Sequence, residues 1–175
     1  MMRLRLVLPA VALALAGPAS AQIDFTAMPE GCNWKIRYSS GQVVTETYLG
    51  RKGGKHRTRV TAGETPVREM TYDAQGRMIR KDWSDGNWET FSPYSCFDIV
   101  GSCTYRYRNS SGADQKIVSE TIAKGAGFQV RAGPVDGPPY PVEYFETGSF
   151  GLMLRNKASN YSARLVEIRN CDPGS

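Results

Sequence analysis

Histidine is nearly absent from this chain: His56 is the only one in 175 residues. Serine–histidine or cysteine–histidine catalysis would have to run through it, as would a histidine-based metal site, and it lies in a run of cations. Cysteine is scarce too. Cys32, Cys96, Cys103 and Cys171 contain no C-x-x-C spacing, so a zinc centre or a dithiol redox pair has no framework. No glycine-rich phosphate loop and no low-complexity tract is present, so no cofactor and no metal is expected. No ten-residue segment combines a helical apolar period with caps, which argues against bundles and βαβ units. After the first two dozen residues no apolar run is long enough to cross a bilayer as a helix.

What is present begins with an export signal. Met1-Met-Arg-Leu-Arg5 is a positive n-region, Leu6 to Gly17 an apolar core, and Ala19-Ser-Ala21 an A-x-A cleavage sequence. Residues 1–21 are therefore expected to be a cleaved secretory signal peptide, with residues 22–175 as one β domain, periplasmic or secreted. Losing Arg3 and Arg5 lowers the net charge from +5 to +3, too little to point to nucleic acid. In an oxidising compartment the four cysteines should pair. Spacing favours Cys96 with Cys103 and Cys32 with Cys171, the second tying the chain's two ends together.

The rest reads as strands. Trp34, Ile36 and Tyr38 alternate with polar residues, as do Cys103, Tyr105 and Tyr107 with Thr104, Arg106 and Arg108. Further strands are expected at 43–49, 55–61, 67–72, 77–83, 87–92, 115–122, 128–132, 142–147, 150–155 and 161–168. Residues 118–124 are the stretch nearest to a helix. The proline-rich run 133–141 can only be a loop. The expected fold class is all-β: an antiparallel meander of about 9–11 short strands with little helix, as a curled sheet, barrel or two-layer sandwich.

Turn chemistry marks the centre of the chain. Asp73-Ala-Gln-Gly76 and Asn109-Ser-Ser-Gly112 each read as a type I turn followed by a left-handed glycine. Trp83-Ser-Asp-Gly-Asn-Trp88 reads as a type I′ hairpin centred on Asp85-Gly86. That register sets Trp83 against Trp88 on one face, and Asp82 against Glu89 on the other with Arg80 nearby. The string Tyr72-Asp-Ala-Gln-Gly76-Arg77 followed by Trp83-Ser-Asp-Gly86 resembles one unit of the YD (Rhs-type) repeats of bacterial surface and toxin-shell proteins. The resemblance covers about 15 residues, and no second unit follows.

Two surfaces stand out as candidate sites. In Arg51-Lys-Gly-Gly-Lys-His-Arg-Thr-Arg59, a turn at Gly53-Gly54 places Lys52, Lys55, Arg57 and Arg59 on one face, together with Tyr48 and Glu46. Such a face fits an anionic lipid or glycan of a cell envelope. Trp83 and Trp88 form a candidate sugar-stacking platform, with Asp82, Asp85 and Glu89 as the acids a glycosidase would need. Size, export and strand content also resemble a lipocalin-like lipid carrier, though Gly31-Cys-Asn-Trp34 is one residue longer than that family's Gly-x-Trp. The reading is a non-catalytic exported binding domain whose first candidate partner is an anionic envelope component at the basic hairpin. The alternatives are a glycan-binding module, a carboxylate glycosidase and a small-lipid carrier.

Overall fold

The computed structural model describes residues 22–96 and 99–172, so the expected signal peptide lies outside the described residues. Twelve strands follow one another: β1 (Asn33–Tyr38), β2 (Val43–Lys52), β3 (Lys55–Ala62), β4 (Thr65–Tyr72), β5 (Met78–Trp83), β6 (Trp88–Ser92), β7 (Gly101–Asn109), β8 (Asp114–Lys124), β9 (Gly127–Pro134), β10 (Glu143–Thr147), β11 (Met153–Lys157) and β12 (Ser162–Arg169). Each pairs antiparallel with its sequence neighbours, and β12 pairs with β1. The sheet is a closed barrel. Each alternating segment forms its own strand, one more than the 9–11 expected, and the near-helical 118–124 belongs to β8.

Closure leaves no sheet edge exposed. At the seam Trp34 lies opposite Ile168 and Ile36 opposite Leu165, so apolar side chains meet across it. Cys32 bonds to Cys171 there, with Cα atoms 4.5 Å apart, and Cys96 bonds to Cys103 at 6.1 Å. Both pairings follow the spacing. In the chain-entropy view the long loop closed by Cys32–Cys171 is worth about 5 kcal/mol. Such disulfides belong to an oxidising, non-cytoplasmic environment.

Among the described residues no helix is long and apolar enough to cross a membrane. The outer wall carries Lys35 and Arg37 on β1, Arg57 and Arg59 on β3, Arg80 and Asp82 on β5, and Arg106 and Arg108 on β7. A barrel in lipid needs an apolar band there, and these charges interrupt it.

Twelve strands at ~4.8 Å spacing and ~40° tilt close on a circle about 24 Å across, wider than the eight-strand case that side chains fill. The wall therefore cannot close its own interior. Three apolar clusters line it instead. One spans β1–β4 through Trp34, Val44, Val60 and Met70; a second is Phe128, Val130 and Phe145; a third is Phe91, Cys96, Tyr105 and Ile117.

One barrel end is stoppered by the segment ahead of β1. A short 3-10 turn, Phe25–Ala27, starts at Asp24, whose Oδ1 accepts from the Thr26 amide at 3.0 Å. Phe25, only 3% exposed, packs its ring about 5 Å from those of Tyr48, His56 and Tyr72. The Asp24 amide donates to the Phe150 carbonyl at 2.8 Å. Gly76 and Gly151 sit at φ +80° and +67°, and a β-carbon on either would overlap the Ile23 or Gln22 carbonyl.

Candidate functional site

The basic hairpin forms, with a different inner face from the one expected. Gly53 and Gly54 both have positive φ, and Lys52 lies opposite Lys55. A bulge then intervenes between Tyr48 and Arg51, with Gly50 at φ +84°. The extra residue turns Tyr48 and Glu46 into the barrel, opposite Thr58 and Val60, and leaves Lys52, Lys55, Arg57 and Arg59 outside. Glu69 ion-pairs with both arginines, to Arg57 at 2.5 Å and Arg59 at 2.7 Å. Burial works against the Glu69 charge, but the two guanidiniums outweigh it and hold the carboxyl below its usual range. Two of the four cations are thus held by a single carboxylate.

The tryptophan hairpin differs in register. The amide of Gly86 donates to the Trp83 carbonyl, and Trp83 pairs with Asn87. Gly86 has φ +88°, whereas Asp85 is not at positive φ, as type I′ would require. The loop is a type I turn closed by a left-handed glycine, the same device found at Gly76 and Gly112. This sets Asp82 opposite Trp88 and Lys81 opposite Glu89. One residue of slip changes every face. Trp83 points inward against the Arg68 guanidinium at 5.1 Å, and Trp88 outward against Arg80 at 5.6 Å. The two rings lie on opposite faces of the sheet, and both border one depression of about 290 Å³ at the hairpin end. Asp82 and Glu89 likewise separate: Asp82 pairs with Arg80 outside, and Glu89 with Lys81 inside at 3.2 Å.

His56 is part of the stopper. It is 5% exposed, its Nδ1 lies 2.7 Å from the Tyr48 hydroxyl, and its ring also donates to the Ala74 carbonyl. A ring that donates at Nε2 accepts at Nδ1, so the Tyr48 hydroxyl is the donor. Burial, then Arg51, holds the imidazole below its ordinary value. Beside it, Glu46 accepts from Thr58 at 2.7 Å; burial pushes its carboxyl up, against the Thr58 hydroxyl and Arg68.

The interior between the clusters is hollow. A cavity of about 430 Å³ is bounded by Ile23, Met70, Tyr72, Met78 and Phe91 on one side and by Tyr105, Glu143, Asn156 and Tyr161 towards the other. These residues come from strands on opposite arcs of the barrel, so the space is lumen. The stopper floors it. Tyr161, which lines it yet is 38% exposed, stands on the β11–β12 connection at the other end and places the mouth there.

Its polar groups converge. The Tyr161 hydroxyl donates to Glu143 Oε2 at 2.8 Å, and Asn156 Nδ2 donates to the same oxygen at 3.1 Å. Burial, then Glu143, pushes the Tyr161 phenol up, so it remains a donor. Burial, then Tyr140 and Tyr107, pushes Tyr105 up to about 12. Lys81 is held by Glu89 and lies over the Phe91 ring. None of Lys81, Glu143, Asn156 or Tyr161 stands out in the sequence. The usable signal is phase: Glu143 alternates in step with inward Phe145, and Lys81 with inward Trp83.

Comparison with family models, with curated proteins and with solved structures returns no match to this chain.

Proposed function

We propose that this is an exported, non-catalytic binding protein that carries a small, largely apolar molecule in the barrel lumen. The observation that carries the reading is the cavity of about 430 Å³ with a floor, a mouth and a mixed lining, within the size range of ligand pockets. The test is titration with N-phenyl-1-naphthylamine, a neutral probe whose emission rises in apolar surroundings. Saturable binding at one site is expected, and Ser95→Leu, which extends a lining side chain into the cavity, should weaken it at least about tenfold. Equal binding by a folded Ser95→Leu variant would remove the reading.

A second reading keeps the anionic envelope partner but moves it. Arg37 lies opposite Arg164, which lies opposite Arg155, so three exposed arginines stand in one row over β1, β12 and β11. None forms an ion pair among the described residues, and a depression of about 530 Å³ runs along them beside Lys157. Like charges directly opposed cost stability unless an anion joins them. Salt-sensitive binding to phosphatidylglycerol vesicles should then be lost in Arg37→Gln/Arg155→Gln/Arg164→Gln and kept in Lys52→Gln/Lys55→Gln.

A further inference from the structure

The lumen's polar end has an unbalanced charge. Glu46 has Arg68 near it and Glu89 has Lys81, whereas Glu143 takes part in no ion pair among the described residues. Its two neighbours are neutral donors, Tyr161 and Asn156, and both approach Oε2. A carboxylate only accepts, so the Asn156 amide must present Nδ2 to it. That fixes Asn156 Oδ1 on the other side, where it is buried without a partner in a residue 6% exposed. The Glu143 carboxylate borders the cavity with two neutral donors and no counter-charge, beside an apolar wall of Met70, Met78 and Phe91.

We propose that the lumen selects a ligand with a protonated amine, which Glu143 pairs with, the apolar body lying on Met70, Met78 and Phe91. This rests on the lumen being a binding site. An alcohol would satisfy the hydrogen bonds but leave the carboxylate without a counter-charge. A carboxylic acid would bring a second negative charge to Glu143; of the inward cations, Lys81 is already held by Glu89, and Arg68, against Trp83 and near Glu46, does not line the cavity. Charge-assisted hydrogen bonds in such a site are the stronger kind.

The experiment is displacement of N-phenyl-1-naphthylamine from the wild-type protein at neutral pH by octylamine, octanol and octanoate, three probes sharing one chain. Octylamine should displace at least about tenfold more effectively than octanol, with octanoate the weakest. Glu143→Gln should bring the amine down to the alcohol's level while leaving the alcohol within about twofold. The wild-type ranking alone decides the matter if that variant does not fold. Equal displacement by amine and alcohol would overturn the amine assignment and leave the lumen as a binding site. A probe that does not bind, with no heat on adding any of the three, would overturn both.

Discussion

His56 is the residue whose environment has the plainest consequence in solution. Burial and Arg51 disfavour its charged form in the folded chain, while Asp73 and the Ala74 carbonyl only partly oppose them. The unfolded chain therefore takes up the proton first as pH falls. Stability should be unaffected above the ordinary histidine value of 6.5 and should decline as pH drops through and below it. Denaturant melts at stepped pH check this, and His56→Gln, which removes the titrating group, should flatten that part of the profile. Glu46 has the opposite sign. Its carboxyl is pushed up, so its stabilisation is complete below 4.5 and lost as pH rises towards its folded value. The two slopes have opposite signs, and only the histidine one disappears in the variant.

At the scale of elements, the stopper and the hairpins decide what the barrel encloses. The stopper depends on two glycines that serve as both turn and contact surface. Gly151→Ala would place a methyl group against the Gln22 carbonyl in backbone that already prefers glycine. Limited proteolysis should then cut within residues 22–30 much faster than in the wild type, with the strands still protected. Much of this level was legible in the sequence. Alternation at Trp34–Tyr38 and Cys103–Arg108 located strands, and the asparagine, aspartate and glycine spacing located turns. Register was not. Asp85-Gly86 is compatible with a two-residue or a three-residue loop, and the longer loop exchanges the faces of Trp88 and Glu89 relative to Trp83 and Asp82. The bulge at Gly50 acts in the same way on Tyr48 and Glu46. Faces near a turn cannot be assigned until the number of loop residues is known, and local propensity does not contain that number.

For the whole molecule the seam is what turns a meander into a container. β1 and β12 are far apart in the chain, and the cost of bringing them together is removed from folding when Cys32 is bonded to Cys171. Replacing both by serine should lower stability by about 5 kcal/mol in denaturant melts. The cysteine spacing made that pairing legible, whereas barrel closure and the lumen were not, because closure depends on pairing between the first and last strands and a hollow depends on what the interior fails to fill. Glu143, Asn156 and Tyr161 are drawn from β10, β11 and the connection that follows, and no local pattern joins them. The central claim, that a small molecule lies among these residues, is tested most directly with methionine methyl groups as reporters. With ¹³C-labelled methionine methyls, adding N-phenyl-1-naphthylamine should shift the signals of Met70 and Met78, which line the cavity, and leave Met28 in the stopper region unmoved. Saturating probe that leaves Met70 and Met78 where they were would contradict the account.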